Sequence, residues 1–266
     1  MKMFARVFLL SCVTLAASGG YGQAPAPAPA SAPAAASIPA ADTATPKEIA
    51  SMKAKLADWP QLARYKADNA ALPPVAAGEQ RVVFYGDSIT DGWGRRPGTE
   101  STFFVGKPYV NRGISGQTTP QMVVRFRQDV IDLHPAAVVI LAGTNDIAGN
   151  TGPMTPEMTE DNFRSMADLA HANGIKVILA SITPAFDYPW KRGMEPAPKV
   201  RALNAWLKDY CERHSYTYLD YYSALTDAEG GMKPGTSVDG IHPNEKGYAI
   251  MEPLAQAAID KTLGSK

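Results

Sequence analysis

Apolar positions along this chain keep two different rhythms. Near the amino end Ile49, Met52, Leu56, Trp59, Leu62 and Tyr65 recur every three or four residues, the spacing of one helical stripe. Thr45-Pro46-Lys47-Glu48 supplies a start signal, with Thr as cap, Pro in the first turn and Glu closing a capping box. Pro60 is expected to kink or divide this prefix, which spans 47–78 and is expected to pack across the domain that follows. From Arg81 the rhythm changes. Arg81–Tyr85, Ala137–Ala142 and Ile175–Ala180 are short, continuous apolar runs rich in β-branched residues, the signature of strands buried on both faces. Shorter strands are expected near Tyr109–Val110 and over Tyr216–Leu219. Between them lie helical patterns at Pro120–Leu133, Pro156–Asn173, Val200–His214 and Glu245–Leu263. Strand-helix alternation of this kind builds a parallel sheet covered on both faces. In such folds ligands collect beyond the carboxyl ends of the strands.

Ahead of the prefix the pattern is different again. Lys2 and Arg6 precede an apolar stretch from Val7 to Ala17, and Gly22-Gln23-Ala24 follows. A positive start, a short apolar run and a small-residue exit describe a secretory signal peptide over 1–24. The run is shorter than the roughly 20 residues that cross a bilayer, so no membrane span is expected. Leu9-Leu10-Ser11-Cys12 resembles a lipoprotein box only faintly, because the apolar run continues past Cys12, and anchoring there is the disfavoured reading. Residues 25–46 hold ten alanines and six prolines, a composition that builds no core and favours an extended spacer. The folded domain is thus expected over 47–266, in an exported, periplasmic or secreted protein.

Composition then narrows the function. The 266 residues carry 26 basic and 26 acidic side chains, and a formal charge of zero argues against a nucleic-acid partner. Two cysteines make neither a disulfide framework nor a cysteine-based zinc cluster. After removal of 1–24, Cys211 would be the only thiol left.

The expected strand ends carry the unusual residues: Gly86-Asp87-Ser88, Asn111-Arg112-Gly113-Ile114-Ser115-Gly116, Gly143-Thr144-Asn145-Asp146 and, before the last helix, Asp239-Gly240-Ile241-His242. Each alone reads as an ordinary turn or cap. Together and in this order they assemble a chemistry. A serine attacks a carbonyl when a histidine removes its proton and a carboxylate orients that histidine. Ser88, His242 and Asp239 supply those groups. The backbone N–H groups of Ser88 and Gly116 and the amide of Asn145 are candidate donors to the developing oxyanion. Of the four histidines, His134, His171 and His214 sit at expected helix ends, where a cation suits the helix dipole. Only His242 lies in a glycine- and proline-flanked loop.

These blocks resemble the SGNH, or GDSL, hydrolase family, whose members carry a serine in a Gly-Asp-Ser block, a glycine block, an Asn-Asp block and an Asp-x-x-His block. The resemblance runs from about Arg81 to Leu263 and is nearest to the platelet-activating-factor acetylhydrolase-like esterases. It implies a three-layer α/β/α flavodoxin-like sandwich around a parallel sheet of about five strands. It also implies ester or thioester hydrolysis through an acyl-serine, without cofactor or metal. The expected substrate is a small-molecule or carbohydrate ester with a short acyl group, acetyl esters on sugars included. Arylesterase, lysophospholipase and thioesterase activities are the enzymatic alternatives, and a silent polysaccharide- or envelope-binding module is the non-enzymatic one. Asp87 is expected to hold the Ser88 turn, and Asn111 and Asp146 the oxyanion loops. Trp93, Tyr188 and Trp190 are candidate substrate contacts, the latter two in the long loop Thr183–Pro198.

Overall fold

The computed structural model describes residues 44–264. The leader 1–24 and nearly all of the spacer 25–46 lie outside the described residues. Five strands form one parallel sheet: β1 (Val82–Gly86), β2 (Tyr109–Gly113), β3 (Ala137–Leu141), β4 (Lys176–Ala180) and β5 (Thr217–Leu219), in the order β2-β1-β3-β4-β5. Register aligns the last residues of β1 with both neighbours, Gly86 opposite Gly113 and Leu141. The chain reverses its direction of strand addition beside β1. The loops leaving β1, β2 and β3 therefore open at one edge of the sheet.

Helices cover both faces. Val83, Tyr85, Val138, Ile140, Val177 and Leu179 point to one side. There they meet Met122 and Phe126 of α4 (Thr119–Asp129), Phe163 and Met166 of α6 (Pro156–Ala172) and Leu207 of α7 (Pro196–His214). Val82, Phe84, Val139, Leu141 and Ile178 point to the other. Their partners include Ile89 of α3 (Ser88–Gly92), Tyr221 of α8 (Tyr221–Leu225) and Met251 and Ile259 of α9 (Glu245–Leu263). The remaining short helices are α1 (Pro46–Ala57), α2 (Lys66–Ala71) and α5 (Thr144–Ile147). Period-2 alternation inside continuous apolar strands thus feeds two cores, the three-layer α/β/α arrangement. Burial of each large apolar side chain contributes about 1.5–3 kcal/mol. Among the described residues no helix is long and apolar enough to cross a membrane.

The helical prefix departs from its simple reading. Its stripe does not lie on the core along its whole length, because the chain breaks after Ala57, ahead of Pro60, and Gln61 takes a positive φ of 58°. Beyond the break Tyr65 is buried and donates to the carbonyl of Gly113. Asn69 bonds to Gln128 O and Asp129 at 3.0 and 2.8 Å. Ahead of the break α1 has no buried residue, and Ile49, Met52 and Leu56 face outward. Its carbonyl-rich continuation is held from the other side, by Gln117 donating to Pro60 O and Gln121 to Trp59 O, both at 2.7 Å.

Candidate active site

Ser88 is the first residue of α3, directly after β1 and the cap residue Asp87. The Asp87 carboxylate accepts the N–H of Ile89 at 3.0 Å, closing the turn locally as expected of a capping aspartate. Burial raises the Asp87 carboxyl to about 6, against the lowering by the Ile89 bond and by His242. Tyr248 of α9 donates to Ile89 O at 2.7 Å, clamping α3 from the neighbouring helix on the same face of the sheet. Behind α3, Gly113 has no room for a side chain: a Cβ there would lie 2.1 Å from Asp91 N. Asn111 reinforces the contact, donating to Thr90 O at 2.6 Å and accepting from Gly113 N at 3.0 Å. The serine is therefore placed by packing as much as by its own turn.

The histidine arrives from a loop. Within it Val238 N bonds to His242 O at 2.9 Å, and Gly240 N to the Ser237 hydroxyl at 2.9 Å. Ile241 is buried, and Asn244 caps α9 through Gly247 N at 3.1 Å. His242 Nε2 lies 2.8 Å from Ser88 Oγ, and His242 Nδ1 lies 2.8 Å from Asp239 Oδ2. Asp239 Oδ1 also accepts the backbone N–H groups of Ile241 and His242, at 3.0 and 2.8 Å. Burial by itself would raise the Asp239 carboxyl, but the bonds from His242 and Ile241 outweigh it and hold the group below the usual range. An ionised carboxylate is thus kept against Nδ1, which leaves Nε2 facing the serine.

In the loop after β2, Gly116 has φ +78°, a left-handed conformation that glycine adopts without strain. A Cβ there would meet nothing within 4 Å, so the backbone is open to an approaching ligand. Asn145 follows β3 in α5 and is 2% exposed. Its amide donates to Gln117 O at 2.9 Å, and its Oδ1 accepts from Asn150 Nδ2 at 2.6 Å. Both contacts pin the side chain with the second N–H free of protein partners among the described residues. Asp146 accepts from the backbone and hydroxyl of Thr119 at the start of α4. Its burial raises the carboxyl to about 6 despite those bonds. This contact ties the β3 loop to the glycine loop.

The three aromatic candidates part company. Trp93 is 2% exposed, stacked on Phe103 and Tyr248 and edge-on to Phe84. It packs in the core and does not face the open site, because α3 ends at Gly92 and turns the next side chain inward. Tyr188 is also buried, against Thr144 at 3.2 Å. It backs Trp190 in a stack with ring centroids 5.1 Å apart. Trp190 alone is open, 44% exposed, with its ring 6.1 Å from that of His242. The other histidines lie apart: His134 in a left-handed turn after the 3-10 segment, His171 and His214 in the last turns of α6 and α7.

Asn150 was missed by sequence reasoning. It orients Asn145 and accepts from Trp190 Nε1 at 3.3 Å, linking the amide to the aromatic lip. The turn after α5 brings it back, and no local motif announces that. Arg125 was missed as well. It is fully buried and donates to Gly86 O, Arg112 O and Gln117, with Asp129 as its ion pair at 3.1 Å. A cation inside a core survives only where such partners satisfy it, and those partners are the ends of β1 and β2. The single described cysteine, Cys211, is buried with its thiol pushed up to about 12 by burial, a packing residue of α7.

The profile of the GDSL-like Lipase/Acylhydrolase family matches residues 84–250. Among solved structures, a protein named an acylhydrolase from Bacteroides fragilis is 47% identical, with a TM-score of 0.74 over 77% of this chain and 98% of its own. A GDSL-like lipase from Bacteroides thetaiotaomicron is 45% identical, with a TM-score of 0.73 over 76% and 98%. An acetylxylan esterase of Geobacillus stearothermophilus is 27% identical over 66% of this chain and 92% of its own length.

Proposed function

From a chain that belongs to the GDSL-like lipase/acylhydrolase family and is a carboxylic ester hydrolase, we propose an exported serine esterase cleaving short-chain esters, acetyl groups on carbohydrates among them. The observation that carries the reading is the line from Ser88 Oγ through His242 to Asp239, with two contacts of 2.8 Å. In this reading His242 Nε2 takes the Ser88 proton as Oγ attacks the ester carbonyl. The developing oxyanion is met by the N–H groups of Ser88 and Gly116 and by the Asn145 amide, donors fixed before the substrate arrives. His242 then gives the proton to the leaving alcohol, leaving an acyl-serine. Water, deprotonated by His242, attacks that ester, releases the acid and restores Ser88. Asp239 stays ionised throughout and stabilises the imidazolium.

The short acyl preference is supported by the loop over the site. Thr183–Pro198 carries Lys191 and Arg192, and the Lys191 ammonium is tied to Ala148 O at 2.6 Å. Charged heads kept in water or on carbonyls give no hydrocarbon cover. The acetylxylan esterase named above supports acetyl esters on sugars, and the leader read in the sequence supports export. The test is an acyl series on p-nitrophenol with organophosphonate labelling. Ser88 is expected to be labelled, and acetyl to butyryl esters to be cleaved far faster than octanoyl esters. Specificity constants that climb beyond butyrate, as about 0.8 kcal/mol per methylene in an apolar groove would give, would overturn the short-acyl assignment. An unlabelled Ser88 would remove the nucleophile.

A further inference from the structure

The prefix helix α1 raises a question that catalysis does not answer: a 12-residue helix with no buried side chain stands beside the oxyanion loop. Between them is a cavity of about 660 Å³. Its walls include Lys55 and Trp59 from the prefix, Ser115 and Gly116 from the glycine loop, and Gln121 and Asn150 behind them. Gly116, the candidate oxyanion donor, is itself one of these walls. Asn150 joins it to Asn145 and Trp190 through bonds of 2.6 and 3.3 Å.

We propose that this cavity is the subsite for the alcohol part of the substrate, and that the alcohol is an oligosaccharide of at least two residues lying between α1 and the glycine loop. The proposal rests on the esterase reading above and names its substrate class. Volume decides against an acetyl group as the occupant, since its two carbons would leave most of the space unfilled, whereas ligand sites of about 300–1,000 Å³ hold molecules several rings in size. Chemistry decides against a long acyl chain, because it would strip water from the exposed Lys55 ammonium and Asn150 amide without replacing their hydrogen bonds. A sugar satisfies both demands. Its hydroxyls exchange bonds with amides and an ammonium, and its C–H face packs on a partly exposed indole such as Trp59, 39% exposed here. Trp59 is held in place by its own carbonyl, which accepts from Gln121 at 2.7 Å, so the ring is carried on a fixed backbone.

The experiment compares kcat/KM on acetylated xylotriose with kcat/KM on p-nitrophenyl acetate, for the full chain and for Lys55→Ala and Trp59→Ala. Both variants are expected to lower the ratio of the first constant to the second by about tenfold, mainly through KM for the sugar. Lys55 is exposed on α1, so its variant remains informative if Trp59→Ala folds poorly. A ratio unchanged within twofold for Lys55→Ala overturns the subsite. So does a wild-type enzyme that turns over p-nitrophenyl acetate and ignores acetylated xylotriose, a result that leaves the esterase reading standing. Failure on both substrates would instead strike the esterase reading itself. If Trp59→Ala loses octanoyl ester cleavage and keeps the sugar, the cavity belongs to an acyl chain and the proposal is wrong.

Discussion

The serine and the histidine reach the same point by opposite means. Ser88 stands on a turn at the end of a buried strand, 8% exposed, with Gly113 pressed against its helix from behind. His242 and Asp239 sit on a loop where their side chains are 24% and 35% exposed. Their placement depends on hydrogen bonds within Asp239–His242 and on the anchor Ile241. One half of the site is therefore fixed by the sheet and its packing, the other by local capping. The contrast teaches that errors on the two sides should have different signatures. Damage behind Ser88 should cost stability, and damage in the His242 loop should cost rate while the fold survives.

The sharpest case is Ser88→Ala, which removes one oxygen from a site otherwise unchanged. Ester hydrolysis should fall by about 10⁶-fold with the melting temperature little altered; retention of most turnover would break the assignment. On the loop side, Asp239→Asn keeps the shape and loses the charge that fixes the His242 tautomer. A drop in kcat of about 10⁴-fold is expected, with denaturation midpoints close to wild type. A collapsed fold would show that the loop is less local than its bonds indicate. Asn145→Ala tests the third wall: kcat should fall about 10²–10³-fold with KM nearly constant, whereas a pure KM effect would place its amide in ordinary binding.

The packing side is probed by Gly113→Ala. A methyl group 2.1 Å from Asp91 N must push α3 away, at a cost of about 3 kcal/mol in denaturant unfolding. Unaltered stability there would remove the distinction between the two halves. The smallest effect concerns Asp146, whose carboxyl is raised to about 6 by burial. A folded group that holds its proton more tightly than the unfolded chain makes stability fall as pH rises from about 4 to about 6. Asp146→Asn should flatten that decline by on the order of 2 kcal/mol, read from unfolding curves at pH 4, 5 and 6. A slope equal to wild type would mean that the carboxyl is already ionised at the low end. Asp87, raised to about 6 for the same reason, adds slope in the same direction.

Much of this molecule is determined by local patterns. Continuous apolar runs, the first two ending in glycine, made β1, β3 and β4 recognisable, and the helical pattern from Pro156 placed α6, whose start Thr155 caps by accepting from Met158 N at 3.2 Å. The spacing Asp239-x-x-His242 is also local, since three residues in one loop suffice to bring a carboxylate to Nδ1. What only the tertiary structure decided are the contacts between segments far apart in sequence. The burial of Trp93 depended on Phe103 and Tyr248 closing over it. Arg125 became tolerable inside the core because two strand ends offered it carbonyls. The outward turn of α1 followed from where Pro60 let the chain bend and from which carbonyls Gln117 and Gln121 caught. A periodic stripe states that a helix has an apolar face, because side-chain direction follows from backbone geometry alone. It does not state what that face meets, because that depends on long-range closure, which the periodicity of a short segment does not encode.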